Sequence, residues 1–172
     1  MQEPDDSPRH WCYGCGDRNP EGLQIVFEVN GRRVSGRFLP RETHQGMPGV
    51  VHGGVAAAAL DEAMGWAMWA AGALAMTARM EVKYRRPLPL GEGLLVTAEV
   101  TRDRGRRLEA EAAISTLSGE ILAQAHGLFL RVPAERAREL DASFIGDGAP
   151  QARGALRDDA PTRSSDLLTR SS

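Results

Sequence analysis

The residues of this chain best placed to do chemistry lie between His44 and Glu62, in HQGMPGVVHGGVAAAALDE. His52-Gly53-Gly54 stands directly ahead of an alanine-rich run that reads as a helix. The first N–H groups of a helix have no intrahelical partner and sit at the positive end of its dipole. Two glycines remove the Cβ atoms that would block a ligand, so these groups suit a developing oxyanion or a phosphate. Asp61 follows Gly54 by seven residues, close to two turns, and so lies on roughly the same side of the helix. An oxyanion donor at the tip and a carboxylate further along together suit attack on a carbonyl. The amide polarises C=O, and the carboxylate either attacks or takes a proton from a water that does. Taken singly, a helix-opening turn or a solvated acidic pair would look the same. The setting decides: Asp61 and Glu62 interrupt an otherwise apolar helix, where an unpaired carboxylate is costly and needs partners or a purpose.

Other groups are weaker candidates. His44, in the loop, is a modest one and His126, on a late strand, a poor one, because a lone histidine is more often a hydrogen-bonded structural residue. Trp66, Met68 and Trp69 read as core or subunit contact, with the lining of a ligand tunnel by Met64 and Trp66 as the lesser alternative. Cys12-x-x-Cys15 is half a zinc site, to which His10 adds only a third ligand. A structural loop, serving as a lid over a pocket, is the expectation there, without metal; a zinc site completed by a donor from elsewhere is the lesser alternative.

These residues must be positioned by the elements around them. Leu23, Ile25, Phe27 and Val29 alternate with more polar neighbours, as do Val34, Gly36 and Phe38, with a tight turn at Asn30-Gly31. Pro40 to Val51 is too broken by Pro and Gly for a regular element and reads as a shaped loop. The helix is predicted from Val55 to about Ala71, apolar nearly all round and therefore enclosed. Downstream the period is two: Met80, Val82 and Tyr84, then Leu94 to Val100, Leu108 to Ile114 and Ile121 to Val132, with turns at Arg104-Gly105 and Ser118-Gly119. One long helix packed on an antiparallel sheet is an α+β fold. The expected division is a lead and Cys-rich loop over 1–22, the domain proper over 23–133, and over 134–172 a short helix (Ala134 to Ala142) followed by an extended tail from Phe144.

Composition limits the partners. The 172 residues carry 21 Lys+Arg against 23 Asp+Glu, a net charge of −2, so there is no overall positive field to recruit nucleic acid or anionic lipid. The acidic start has no signal-like apolar run, two cysteines make no disulfide framework, and the alanine-rich stretch holds Asp61 and Glu62 near its middle. A cytoplasmic protein without membrane or nucleic-acid partners is the expectation. Lys83 is the one lysine beside twenty arginines, and between Thr77 and Glu109 eight cations face five acids. Arginine forks suit the phosphates of an anionic ligand, with Arg85 and Arg86, beside Pro87, as the first choices; a surface strand face of alternating charge is the equal alternative for any one of them.

The motif Gly46-Met47-Pro48-Gly49-Val50-Val51-His52-Gly53-Gly54, with Asp61 nine residues after the histidine, resembles the signature of hotdog-fold acyl-CoA thioesterases of the PaaI-like and thioesterase-superfamily-member group. The similarity extends to Cys12-Tyr13-Gly14-Cys15-Gly16, Asn19-Pro20 and Gly22-Leu23 in front and to Thr77–Tyr84 and Pro87 behind, covering roughly residues 12 to 132. The resemblance implies a curved antiparallel sheet wrapped around one long helix and hydrolysis of an acyl-CoA without cofactor. It implies Asp61 as nucleophile or general base, Gly53 and Gly54 as oxyanion donors, His52 bracing the loop or positioning the thioester, and Thr77 orienting the water or the carboxylate. It also implies a homodimer or homotetramer in which Asp61 works with His52 and Gly53 of the neighbouring subunit. Gly46 stands where many relatives have asparagine, so Gln45 or His44 is expected to replace that contact. Glu62 is a second candidate acid. The rival expectation is a non-catalytic hotdog module that binds an acyl group or CoA ester, which has no need of a carboxylate at Asp61.

Overall fold

The computed structural model describes residues 11–133 and 135–137. The first ten residues of the predicted lead, and the predicted C-terminal helix and tail except for a helical turn at 135–137, lie outside the described residues. Six strands and one long helix follow in the order β1 (Val26–Asn30), β2 (Arg33–Phe38), α1 (Gly53–Ala70), β3 (Ala75–Tyr84), β4 (Leu94–Arg104), β5 (Arg107–Thr116) and β6 (Ile121–Arg131). They form a single antiparallel sheet with strand order β1-β2-β4-β5-β6-β3, and α1 crosses one face of it.

Period two in the sequence becomes one buried face of the sheet. Val34, Leu94, Val96, Leu108, Ala110, Ile114 and Phe129 are all buried against α1, while Arg33, Glu111 and Gln124 face outward. Glycines with positive φ close the turns: Gly31 after β1, Gly105 between β4 and β5, and Gly119 before β6, where an L side chain would be strained.

The helix buries a stripe of Ala56, Ala59, Leu60, Ala63, Met64, Ala67 and Met68, the i, i+3, i+4 spacing of one face. It is not enclosed all round as its composition led us to expect; Asp61, Glu62, Gly65 and Trp66 on the opposite side are only half-buried. Small alanines let its axis lie close to the sheet, and Gly127 on β6 takes up the bulkiest contact. A Cβ there would come within 2.5 Å of the Phe129 ring and 3.0 Å of the Met64 sulfur.

Two strands flank the helix unequally. After α1 the chain returns to the far edge, so β3 pairs only with β6. Most of its side chains are exposed, including Met76 at 68%, and one long backbone edge is left open. At the other end of the sequence, order begins earlier than Leu23. Leu23 N–H and Ile25 N–H donate to the carbonyls of Tyr13 and Gly14, and Gly16 N–H to that of Cys12, which docks the cysteine loop onto the domain.

Candidate active site

The loop from Pro40 to His52 is shaped by its own hydrogen bonds. Glu42–His44 makes a 3-10 turn, and Met47-Pro48-Gly49-Val50 closes a β-turn with Val50 N–H on the Met47 carbonyl; Pro48 presets one central φ and Gly49 supplies the positive one. His44 is buried at 2% exposure, its Nδ1 accepting from Arg41 N–H at 3.1 Å and its ring 5.7 Å from that of Phe38. Its carbonyl accepts from His52 N–H. Burial first, then the Arg41 charge, holds its ring below the ordinary histidine pKa. His44 is therefore a brace under the loop, and the reading of it as a substrate-binding residue is corrected. Gln45 turns its carbonyl to Gly49 N–H, 3.1 Å away, and so stabilises the turn. A Cβ on Gly46 would lie 2.9 Å from His52 Cα, so this loop path leaves no room for the asparagine many relatives carry there.

His52 caps α1. Its Nδ1 accepts from Gly54 N–H at 3.0 Å, which leaves Nε2 to carry the hydrogen of a neutral ring. This alters the expected pair of oxyanion donors: Gly54 N–H is occupied by the cap, whereas Gly53 N–H has no partner among the described residues. Tyr84 Oη, at the end of β3, donates to the Gly53 carbonyl at 2.7 Å and so holds the Gly53–Gly54 peptide, whose N–H is the one given to His52. The alternation of Met80, Val82 and Tyr84 had placed Tyr84 inward; instead it is half exposed beside the helix tip. Only its phenol hydroxyl hinted at such a contact.

Asp61 lies on the flank of α1 that faces β3. Thr77 Oγ1 donates to its Oδ1 at 2.7 Å from a point on β3 where the register with β6 slips between Thr77 and Arg79. Gly53 and Asp61, although on one side of α1, are eight residues apart, about 12 Å along the axis. One carbonyl needs both donor and carboxylate within about 3 Å. A single copy of the helix therefore cannot bring both groups to the same reacting carbon, and the first expectation, of one helix doing both jobs, fails on length alone.

Glu62, one residue on, points along the other flank. Its Oε1 accepts from Trp66 Nε1 at 3.2 Å, and its oxygens lie 3.5 and 3.7 Å from Cys12 Sγ. Burial, followed by Cys12, pushes its carboxyl up to about 7. The Cys15 contact lowers the Cys12 thiol, and the same contact with burial raises Cys15. Glu62 belongs with the cysteines rather than with Asp61, so the candidate second acid is separated from the first. Met64 is fully buried in the core and lines no tunnel within one copy.

A cavity of about 320 Å³ opens beside the helix tip, walled by Met47, Gly53, Tyr84, Arg85, Arg86 and Leu88. Both predicted arginines therefore reach it, although Arg86 Nε is paired with Glu120 at 2.6 Å and Arg85 Nε meets Gln124 at 3.2 Å. The remaining local cations do not gather there. Arg102 pairs with Glu109, and the turn bearing Arg104, Arg106 and Arg107 lies at the opposite end of β5 and β6, where Arg131 meets Asp103. His126 likewise lies away from the tip, 3.7 Å from Glu109.

One curved antiparallel sheet across a single long helix, with a glycine-opened helix tip beside a cavity, defines a hotdog domain. Residues 48–123 match the family model described as Thioesterase superfamily. The chain is 32% identical over 121 residues to acyl-coenzyme A thioesterase THEM4 of Mus musculus, a match covering 67% of this chain and 52% of that protein. Overall the chain spans about half the length of the curated relatives it matches. Among solved structures it is similar to protein RHA08564, a thioesterase superfamily protein, with TM-score 0.67 and 32% identity over 70% of this chain and 60% of that one. It also shares its fold with smu.793 from Streptococcus mutans UA159, a structure bound to acetyl CoA, with TM-score 0.58 and 18% identity over 63% and 86% of the two chains. The protein belongs to the thioesterase superfamily, in its hotdog-fold branch.

Proposed function

We propose that this protein is an acyl-CoA thioesterase whose catalytic centre is assembled from two copies of the chain. The observation that carries the reading is the Thr77–Asp61 hydrogen bond of 2.7 Å on the flank of α1 facing the open β3 edge. A carboxylate held at that edge, about 12 Å from its own helix tip, is useful when a second copy brings the tip. Pairing of two β3 edges would cover the exposed strand and its Met76, and a two-fold axis would give each Asp61 the Gly53 of its neighbour.

In this arrangement the thioester carbonyl oxygen accepts the free Gly53 N–H at the positive end of α1, which stabilises the charge that develops there. His52 and Tyr84 hold the adjoining Gly53–Gly54 peptide by its N–H and its carbonyl, and so fix the helix tip from which the Gly53 N–H projects. Asp61, aligned by Thr77, either adds to the carbonyl carbon or takes a proton from the water that adds. Where Asp61 activates water, collapse of the tetrahedral intermediate expels the coenzyme A thiolate, which takes up the proton from Asp61, and leaves the free acid. Where Asp61 adds directly, collapse leaves an acyl–Asp61 anhydride, which a water then cleaves to the free acid and the restored carboxylate. The cavity at the tip is suited to the coenzyme chain, with the Arg85 and Arg86 guanidinium groups near its phosphates. The named activity of the THEM4 relatives and the acetyl CoA in the Streptococcus mutans structure support the substrate class. No helix among the described residues is long and apolar enough to cross a membrane.

The test is release of free CoA, followed by a thiol reagent, from short, medium, long and aromatic acyl-CoAs. Turnover on at least one class is expected. A protein that binds these esters yet releases no thiol from any of them would be the non-catalytic module instead.

A further inference from the structure

Cys12, Cys15 and Glu62 each offer one ligand atom to a common point, all within 4.8 Å of one another, and none of the three has a task in the thioesterase reading. They come from two distant parts of the chain. Cys12-Tyr13-Gly14-Cys15-Gly16 is a knuckle closed by Gly16 N–H on the Cys12 carbonyl, and its next turns are fastened by Leu23 N–H and Ile25 N–H to Tyr13 and Gly14. Glu62 rises to meet it from the middle of α1. Gly14 makes the approach feasible, because a Cβ there would overlap the Glu62 side chain.

The spacing has a quantitative meaning. A tetrahedral zinc with ligands at about 2.3 Å for sulfur and 2.0 Å for oxygen has a sulfur–oxygen edge of about 3.5 Å. Cys12 Sγ and Glu62 Oε2 are 3.5 Å apart. The other carboxylate oxygen, Oε1, is held by the Trp66 indole N–H at 3.2 Å. That indole donor fixes the carboxylate and leaves Oε2 toward the thiols, the usual relation between a metal ligand and the group that orients it. Three potential anions gathered in one half-buried place repel one another unless a cation or protons offset them.

We infer that Cys12, Cys15 and Glu62 form a zinc site that staples the N-terminal knuckle to helix α1. Two thiolates favour a soft or borderline divalent metal and the carboxylate favours zinc over copper(I). The remaining position of the tetrahedron falls to water or to a donor beyond these three. The sequence offered only half of this site, because the spacing of two cysteines says nothing about which residue fifty positions away will meet them. The inference stands independently of the catalytic reading, since Asp61 and Glu62 leave α1 on different flanks.

The full chain, expressed without added metal salts, is expected to carry about one zinc per copy by elemental mass spectrometry. Cys12→Ser with Cys15→Ser should carry none. Glu62→Gln should weaken zinc at least about tenfold in competition with a chromophoric chelator, since loss of a ligand costs no less than loss of a group that orients one. Cobalt put in place of zinc should show thiolate-to-metal charge-transfer absorption that halves in Cys15→Ser. Stripping the metal should lower the melting temperature of wild type and leave that of the double cysteine variant unchanged. Circular dichroism of each variant confirms that it is folded. The inference is overturned if folded wild type carries no zinc and does not bind it when supplied, if it holds iron instead, if Cys12 and Cys15 are found joined as a disulfide in the freshly isolated protein, or if the double cysteine variant retains its zinc.

Discussion

Asp61→Asn is expected to lower kcat for acyl-CoA hydrolysis by about 10²–10⁴-fold, the range for loss of a positioned acid–base group, with a larger loss if the carboxylate is itself the nucleophile. The substitution is nearly isosteric and the amide oxygen can still accept the Thr77 hydroxyl, so the flank of α1 and the edge of β3 keep their contact. Melting temperature should change little. Because Asp61 is asked to act in the transition state and not to bind the acyl group, kcat and kcat/KM should fall together with KM nearly constant. Steady-state kinetics beside a thermal melt separate the outcomes. A fall in activity matched by unfolding would make Asp61 structural, and retained turnover in a folded variant would remove it from the chemistry.

Gly53→Pro is the sharper probe of the helix tip. Proline is well tolerated at the first position of a helix, where its missing N–H had no intrahelical partner and its φ is already suitable. His52, with ψ 136°, has the extended backbone that a following proline demands. A Cβ at Gly53 meets Tyr84 Oη at 3.4 Å, ordinary contact. The substitution thus deletes one N–H group and little else, and the expected cost is about 10²–10³-fold in kcat, as for loss of a single oxyanion donor elsewhere. Gly54→Ala serves as the comparison. Its N–H is already given to His52 Nδ1, and a Cβ there would lie 3.1 Å from that atom, so a small adjustment of the ring and a modest loss are expected. Equal losses in Gly53→Pro and Gly54→Ala would argue against Gly53 as the donor.

The framework that holds these groups was legible because it is written in short-range patterns. Alternation at Leu94–Val100 and Leu108–Ile114 set the buried face of β4 and β5, and Gly31, Gly105 and Gly119 marked their turns by the positive φ they adopt. The three-four spacing of small apolar residues set the inner stripe of α1. What the sequence left open depends on contacts between distant segments. Asp61 and Glu62 are neighbours, yet about 100° apart around a helix, so one meets Thr77 and the other meets Cys12. His44 looked like a candidate ligand because its type is reactive; its burial beneath Arg41 and Phe38 is a property of the folded loop. Tyr84 fell in an inward position of the β3 alternation, but the strand ends there and the ring swings to the helix tip. The helix length was legible in advance, and from it follows the one geometrical argument that most constrains function: donor and carboxylate of one copy are too far apart to share a carbonyl.

That constraint gives the most direct test of the account. Asp61→Asn and Gly53→Pro, each nearly inactive alone, are mixed, exchanged into hybrid assemblies by mild denaturation and refolding, and assayed for CoA release. In a two-fold assembly with shared sites, a hybrid joins the intact Asp61 of one copy to the intact Gly53 of the other. A statistical mixture should then recover about a quarter of wild-type activity. If hybrids form, as judged by mass spectrometry, and activity stays at the level of the separate variants, the shared catalytic centre is wrong.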